Sequence, residues 1–209
     1  MGVRKVVTRS GRSIRGYFPS RKMKAMVPWE STLERDAILL LEFSPEVVRY
    51  RAQPVRTTFT MNGTSKYCVP DFEAEFADGL VSHIEVKPSK KLENPEIADR
   101  YAAIKRHYEK NTDIWYQILT ERELRKKTRL KNLRRLAYHL PKIQDEQDLL
   151  DAIQQLVLLP ARTVGGAAFV LGDMKIVLRL LAAGFITCNL DTPITITTEI
   201  TYQFPRRQP

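Results

Sequence analysis

Residues 70–87 read PDFEAEFADGLVSHIEVK, and this stretch decides the fold. Apolar and polar side chains alternate over residues 72–76 and again over residues 80–86, as they do in half-buried strands. The residues between them, 77–79, are Ala, Asp and Gly, a composition typical of a turn. A three-residue loop with Gly79 in the left-handed conformation is a common hairpin type. The stretch therefore predicts two antiparallel strands with a defined register.

The hydrophobic pattern predicts which residues of this hairpin face each other. In the register that the loop sets, Phe72 lies opposite Ile84 on the core side, and Asp71 faces Glu85 on the other side. Lys87 lies two residues further along that second side. A shift of one residue would bury the acids and scatter the arrangement. The alternative is an ordinary hairpin with a solvated face, but opposed acids repel and such a face has no reason to align them.

The order Pro70-Asp71 and then Glu85-Val86-Lys87 is the pattern PD-x(n)-E-x-K of metal-dependent nucleases. Two carboxylates can hold a divalent cation against a phosphate, and an ammonium can stabilise negative charge or help to activate the attacking water. Oxygen ligands favour Mg²⁺ or Mn²⁺ as the cation. We therefore predict Asp71 and Glu85 as metal ligands and Lys87 as a catalytic residue.

The charge of the chain favours a polyanionic partner. The 209 residues carry a formal net charge of +10, for which nucleic acid is the default partner. Residues 1–28 contain no acid and are interpreted as a poorly ordered basic arm. Its predicted phosphate contacts are Arg4, Lys5, Arg9, Arg12, Arg15, Arg21, Lys22 and Lys24. A second basic run, residues 122–142, supplies the predicted contacts Arg125, Lys126, Arg129 and Lys131. The alternative for such a run is a solvated helix face.

Several kinds of protein and of site are disfavoured. The basic N-terminus resembles the start of a signal peptide, but no apolar segment follows it, and no run is long and apolar enough to span a bilayer. Cys68 and Cys188 have no metal-site spacing, so free thiols in a reducing cytoplasm are expected. The histidines form no ligand cluster; they are His83, His107 and His139. We expect a cytoplasmic protein without a membrane partner.

The rest of the N-terminal part predicts an α/β domain around the hairpin. The predicted elements are a helix at 31–43, strands at 47–50 and 55–60, a turn at 62–63, the hairpin, a helix at 96–110 and a strand at 114–119. Ser31 followed by Glu34 has the spacing of a capping box, as has Thr120 followed by Glu123. This order of elements predicts a mixed sheet with helices on both faces.

The C-terminal part predicts a smaller, separate domain. A long basic helix from 121 to about 140 is expected to end at Pro141, where we place the domain boundary. Beyond it we predict helices at 148–159 and 173–183, a loop at Gly165–Gly166, and strands at 185–189 and 194–198. Two helices followed by a small hairpin is the outline of a winged helix. The predicted division is thus a basic arm at 1–28, an endonuclease domain at 29–141 and a winged-helix-like domain at 142–209.

An ordered set of motifs carries a family resemblance. These are Glu30-Ser31-x-Leu33-Glu34, Leu40-Leu41-Glu42-Phe43-Ser44-Pro45-x-Val47-Val48, Gln53-Pro54-Val55, Tyr67-x-x-Pro70-Asp71-Phe72, Glu85-Val86-Lys87-Pro88, Thr120-Glu121-Arg122-Glu123 and Asn132-Leu133. Together they resemble TnsA, the endonuclease subunit of heteromeric cut-and-paste transposons, in the restriction-endonuclease-like PD-(D/E)xK superfamily. Some members of the family have glutamine where this chain has Glu85, and the acid here keeps the expected metal site intact.

The resemblance implies a function and a set of partners. Enzymes of this family cut the 5′ strand at each transposon end, while the partner transposase TnsB cuts and joins the 3′ ends and the ATP-dependent regulator TnsC contacts the pair. The implied active site is Glu34, Asp71, Glu85 and Lys87, with Glu34 as a third metal ligand. Glu30 lies one helical turn from Glu34 and is an alternative to it, and a purely structural cap is another interpretation of Glu34. The C-terminal domain is expected to contact partners at least as much as DNA.

Two other functions remain open from the sequence. A stand-alone restriction or repair nuclease would share the site but would cut a defined sequence without a partner. A non-catalytic DNA-binding adaptor would keep the fold and the charge but would not need the acids, so the intact E-x-K triplet disfavours it.

Overall fold

The computed structural model describes residues 14–203 and shows two compact units, which divide between Arg125 and Lys126. The predicted DNA contacts Arg4, Lys5, Arg9 and Arg12 lie outside the described residues. The first unit contains the strands β1 (Gly16–Ser20), β2 (Ala25–Trp29), β3 (Val47–Ala52), β4 (Thr57–Met61), β5 (Thr64–Cys68), β6 (Phe72–Phe76), β7 (Val81–Val86) and β8 (Trp115–Leu119). Its helices are α1 (Thr32–Phe43), α2 (Ser89–Leu92), α3 (Pro95–Asn111) and α4 (Glu121–Leu124).

A four-stranded mixed sheet is the centre of this unit. The strands lie in the order β3-β6-β7-β8, and only the pair β7–β8 is parallel. In the β6–β7 hairpin Phe72 pairs with Ile84, and Gly79 has a φ of +87°, both as the sequence predicts. The predicted mixed sheet is therefore confirmed, because alternation and a single left-handed glycine were enough to specify the register of its central hairpin.

Helices cover both faces of the sheet. Helix α1 lies on the face that carries Tyr50, whose hydroxyl donates to Glu42 of α1 over 2.7 Å. Helix α3 lies on the opposite face, where the Tyr108 hydroxyl is 2.7 Å from Nδ1 of His83 in β7. The second face of the β6–β7 hairpin is consequently not a solvated surface, and Glu85 is only 7% exposed.

The prediction of a poorly ordered arm at 1–28 is wrong from residue 16 onward, because residues 16–29 form the antiparallel hairpin β1–β2. Phe18, Val27 and Trp29 are buried, so the hairpin has an apolar side of its own. Buried hydrogen bonds also fix the hairpin to α1, because the Ser20 hydroxyl donates to Oε2 of Glu42 over 2.6 Å. The composition of this segment showed its charge but not these contacts with a helix about 20 residues away.

Strands β4 and β5 form a further hairpin, which is separate from the central sheet. Its predicted turn is confirmed, with φ angles of +52° for Asn62 and +71° for Gly63. The inner side of the hairpin packs against α3, where Phe59 and Cys68 join a buried cluster with Ile104 and other residues.

The predicted helix from 121 to about 140 is two helices. The capping box at Thr120 is confirmed and opens α4, which ends at Leu124. A new helix, α5, covers Lys127–Tyr138 and belongs to the second unit, where it contacts α8 (Met174–Ala183). The two units thus divide well before residue 141, because the buried leucines of α5 pack with the C-terminal helices.

The second unit also contains a 3-10 turn (Ile143–Asp145), α6 (Glu146–Leu158), α7 (Val164–Leu171), β9 (Ile186–Thr187) and β10 (Thr201–Tyr202). The loop predicted at Gly165–Gly166 is wrong, since both glycines lie in the first turn of α7. The Thr163 hydroxyl caps that turn by accepting a bond from the Gly166 N–H over 3.1 Å. Gly165 approaches another segment closely, and a Cβ placed there would lie 2.7 Å from the carbonyl oxygen of Ile196.

The predicted pairing of strands 185–189 and 194–198 is also wrong. Strand β9 pairs with β10 at Thr201–Tyr202, while Gly165 N–H and Val164 N–H of α7 donate to the carbonyls of residues 196 and 198. The small sheet therefore uses a later segment than the sequence suggested, and the winged helix stays a prediction. No helix among residues 14–203 has the length and apolar character needed to cross a membrane.

Candidate active site

Asp71, Glu85 and Lys87 lie together where β6 begins and β7 ends. Asp71 directly precedes β6, and its Oδ2 accepts a hydrogen bond of 2.8 Å from the backbone N–H of Val86. Glu85 is the second-last residue of β7, and Lys87 directly follows that strand. The antiparallel register that pairs Phe72 with Ile84 thus brings the two acids next to each other, as the sequence predicts.

The ammonium of Lys87 bridges the two carboxylates. Its Nζ lies 2.7 Å from Oε1 of Glu85 and 3.5 Å from Oδ2 of Asp71. Burial by itself lowers the pKa of Lys87, but the neighbouring Asp71 and Glu85 carboxylates outweigh burial and hold the pKa above its usual range. Lys87 therefore carries its positive charge at neutral pH, directly beside two acids.

Glu85 is buried and is held in place from α3. The Tyr101 hydroxyl donates to Oε1 of Glu85 over 2.9 Å, the same oxygen that Lys87 contacts. Burial raises the pKa of Glu85, and the Asp71 carboxylate raises it further, while Lys87 and Tyr101 act in the opposite direction. In the sequence Tyr101 stands out only as part of the apolar face of a helix. The signal available was that a buried tyrosine hydroxyl usually finds a partner.

Glu34 acts as a helix cap, which is one of the interpretations that the sequence left open. It completes the cap of α1: the Ser31 hydroxyl accepts from the Glu34 N–H over 3.1 Å and donates to Oε1 over 2.9 Å. Oε2 accepts a bond of 2.8 Å from the backbone N–H of Glu30. Burial raises the pKa of Glu34, and one further contribution comes from the carboxylate of Asp71. Glu34 is therefore both a helix cap and an electrostatic neighbour of the site.

The oxygen ligands present fit a small divalent cation. Mg²⁺ is usually bound by one or two carboxylates together with waters and substrate phosphates, so Asp71 and Glu85 are a suitable pair. Among residues 14–203 no three His, Cys, Asp or Glu side chains form a group that could hold a metal ion. Glu34 consequently does not lie close enough to complete a three-acid cluster with Asp71 and Glu85 in this conformation.

A second polar network lies on the same face of the sheet. His83 Nε2 is 2.9 Å from Oε2 of Glu73, and its Nδ1 contacts Tyr108, whose hydroxyl is also 3.0 Å from Oγ1 of Thr57. Tyr108 stacks on Tyr116 with a centroid separation of 4.9 Å. These contacts connect β4, β6, β7 and α3 on the face of the sheet that carries Glu85.

The predicted phosphate contacts differ in how far their charges are already engaged. Lys22 donates to three backbone carbonyls, those of Leu41, Ser44 and Val47, at 2.9, 2.5 and 2.6 Å. Burial lowers its pKa to about 8, with the Glu42 carboxylate acting in the opposite direction. These bonds make Lys22 a structural residue at the end of α1 and not an exposed cation.

The other predicted contacts within the described residues divide into three groups. Arg125 pairs with the buried Asp36 at 2.8 Å, and Arg129 forms an ion pair with Asp191. Arg15 and Arg21 are half-buried, whereas Lys24, Lys126 and Lys131 are exposed. The charges of Arg125 and Arg129 are thus already balanced by acids, and the exposed lysines remain candidates for phosphate contacts.

Residues 44–121 match the family model described as the TnsA-like endonuclease N-terminal domain. The matched range includes Asp71, Glu85 and Lys87, begins after Glu34 and ends before the second compact unit. No curated protein gives a significant match to the chain. The match confirms the resemblance that the motifs carry: over residues 44–121 the chain is similar to TnsA-like endonucleases of the restriction-endonuclease-like superfamily.

Proposed function

We propose that this chain, through the TnsA-like endonuclease domain at residues 44–121, is the metal-dependent nuclease of a cut-and-paste transposon. In this proposal it hydrolyses the 5′ strand at each transposon end, acting with the partner transposase TnsB and the regulator TnsC. The observation that carries the proposal is the arrangement of Asp71, Glu85 and Lys87, in which one ammonium contacts two opposed carboxylates.

Each side chain has a role that follows from its surroundings. Asp71 and Glu85 would hold Mg²⁺ or Mn²⁺, which supplies concentrated positive charge against the scissile phosphate. Lys87 adds a fixed positive charge beside the phosphate, where negative charge develops as the bond to the attacking oxygen forms. Electrostatic groups that are already oriented need little rearrangement during the reaction. Glu34, in the first turn of α1, interacts electrostatically with the carboxylate of Asp71, which contributes to its raised pKa after burial.

Backbone and side-chain hydrogen bonds orient these groups before substrate arrives. The Val86 N–H fixes Oδ2 of Asp71, and the Tyr101 hydroxyl fixes Oε1 of Glu85. Both donors belong to regular elements of the fold, one to β7 and one to α3. Groups held in this way approach the geometry that a phosphoryl transition state requires.

The test is strand-specific cleavage of transposon-end DNA by wild type and Asp71→Asn, with each strand labelled, in Mg²⁺, with and without TnsB. Asparagine keeps the shape of Asp71 and can still accept the Val86 N–H, so the fold should be preserved. Loss of a metal ligand is worth several kcal/mol and lowers the rate at least about a hundredfold. Asp78→Asn is the matched control, because Asp78 lies in the loop of the same hairpin and is exposed.

In reactions that contain the partner transposase, we expect Asp71→Asn to lose the 5′-strand cut and to keep the 3′-strand cut. Without the partner, we expect no cutting by either the wild type or the variant. Normal 5′ cutting by Asp71→Asn would remove Asp71 from the mechanism and contradict the proposal. Efficient cutting by the wild-type chain without TnsB would instead favour a self-sufficient nuclease.

A further inference from the structure

The β4–β5 hairpin presents an exposed surface for which the proposed active site gives no role. Thr58 pairs with Tyr67 and Thr60 with Ser65, so these side chains lie on the outer side, because Phe59 faces α3. We call the following residues, all of them exposed, the hairpin surface: Arg56, Thr58, Thr60, Ser65 and Tyr67. Lys66 is also exposed, but it pairs with Phe59 and lies on the other side of the hairpin. The hairpin surface offers hydroxyl groups, one cation and an aromatic ring that is 55% exposed.

Residues 47–70, which include the β4–β5 hairpin, carry a positive charge that is not balanced by acids within that segment. No acid occurs between Glu46 and Asp71 in the sequence. Two of the four cations of that segment, Arg49 and Arg51, form ion pairs with glutamates of β6. Arg56, the cation of the hairpin surface, has no carboxylate within ion-pair distance among residues 14–203. The hairpin surface is therefore complementary in charge to a phosphate backbone.

Arg56 is held in a way that leaves its hydrogen-bond donors available. Its guanidinium carbon lies 4.3 Å from the ring centroid of Tyr67, so the ring occupies the flat face of the guanidinium. The N–H donors lie in the plane of that group and project from its edge, which is the geometry that binds phosphate with two parallel bonds. The tyrosine thus restrains the arginine without neutralising its charge.

The hairpin surface is fixed close to the active site within the first unit. Tyr67 precedes Asp71 by four residues, and a fully extended chain of that length spans at most about 14 Å. Arg100 of α3 anchors this segment by donating to the carbonyl oxygen of Tyr67 over 2.9 Å. Base pairs of duplex DNA are spaced by about 3.4 Å, so the distance corresponds to roughly four base pairs.

We propose that the hairpin surface binds the phosphate backbone of duplex DNA within about four base pairs of the scissile phosphate. The inference rests on the proposed function in taking DNA as the substrate and Asp71 as part of the active site. Arg56 supplies the charged phosphate contact, the threonine and serine hydroxyls supply additional donors, and Tyr67 keeps Arg56 oriented.

The experiment compares the salt dependence of binding to a short duplex of arbitrary sequence for the wild-type chain and two single variants. Arg56→Gln, the hairpin variant, removes the cation of the hairpin surface. Arg106→Gln is the control, since it removes the same charge from an exposed position of α3. We expect the slope of log affinity against log salt to fall by about one in the hairpin variant and to stay unchanged in the control.

A third comparison tests the role of the ring. Tyr67→Ala removes the support of Arg56, so we expect DNA affinity to fall about two- to fivefold, whereas Tyr67→Phe keeps the ring and should retain wild-type affinity. Equal slopes for the hairpin variant and the wild type would overturn the inference. Equal losses in the hairpin and control variants would also overturn it, because general charge would then explain the binding.

The result of the salt-dependence experiment on the hairpin surface can be distinguished from the result of the cleavage experiment on the proposed nuclease. Cleavage of transposon-end DNA by wild type together with an unchanged slope in the hairpin variant would overturn only the role of the hairpin. A reduced slope in a chain that never cleaves transposon ends would support the DNA-binding surface and contradict the nuclease. A wild-type chain that does not bind duplex DNA would overturn the inference.

Discussion

Replacing Tyr101 by phenylalanine should destabilise the first unit by removing one hydroxyl group. That hydroxyl donates to Oε1 of Glu85, a carboxylate only 7% exposed. Hydrogen bonds to charged groups contribute about 1.5–3 kcal/mol, and a buried acceptor that loses its donor incurs a cost of desolvation. Phenylalanine keeps the ring and leaves no cavity, so we expect the free energy of unfolding to fall by about that amount. Lys87 still contacts the same oxygen, which favours the lower half of the range.

Urea unfolding followed by tryptophan fluorescence measures this change selectively. Both tryptophans of the chain, Trp29 and Trp115, lie in the first unit, so the signal reports on that unit and not on the C-terminal one. At a slope of about 1–3 kcal/mol per molar urea, the midpoint should shift by roughly 1 M. Tyr67→Phe is the matched control, because the Tyr67 side chain is exposed and such substitutions usually stay within about 0.5 kcal/mol.

The pH dependence of this effect has a definite sign. The Tyr101 hydroxyl stabilises the ionised form of Glu85 and so lowers its pKa, opposing burial and Asp71, which raise it above 4.5. Removing the hydroxyl raises the pKa of Glu85 further. The loss of stability is therefore complete above that pKa and becomes smaller as the pH falls through it. Equal stability of the Tyr101→Phe and Tyr67→Phe variants at about pH 8 would refute this account of how Glu85 is held.

Two further substitutions test contacts that the sequence did not reveal. Lys22→Met leaves three backbone carbonyls without their donor, so we expect a loss of about 2–4 kcal/mol in tryptophan-monitored unfolding and no change in the salt dependence of DNA binding. Lys24→Met, an exposed neighbour, should leave stability unchanged, and equal effects would contradict the structural role of Lys22. Gly165→Ala places a Cβ 2.7 Å from a backbone oxygen and should destabilise the second unit by about 1–3 kcal/mol in thermal unfolding followed by circular dichroism. Gly166→Ala has only a 3.3 Å contact and is the control, so similar losses in both variants would refute the role of this close approach.

The register of the central hairpin, and with it the meeting of Asp71 and Glu85, could be predicted from the sequence. Alternation of apolar residues has a period of two, and a slip of one residue would invert the faces, so local pattern and one glycine specify the pairing. The helix caps could also be predicted from the sequence, because Ser31 and Thr120 act on backbone groups within the next three residues. The family resemblance rests on the same local motifs.

Other features depended on residues far apart in the chain. The hairpin at residues 16–29 is stabilised by Glu42, and β9 pairs with Thr201–Tyr202 although an earlier segment has stronger strand character. Local pattern cannot rank such partners, because each pairing depends on which surfaces the rest of the fold leaves uncovered. The division of the basic segment into α4 and α5 has the same origin, since the leucines of α5 pack with the second unit.

The environment of the acids was likewise decided only by tertiary structure. The sequence by itself determined that two carboxylates and a lysine lie on one side of a hairpin. Helix α3 covers that side, buries Glu85 and brings the Tyr101 hydroxyl to it from 16 residues away in the chain. Burial and the Asp71 charge then set the direction of the pKa shift of Glu85. Side-chain alternation acts between neighbours, whereas desolvation depends on everything that packs around a group, and only the folded chain fixes that.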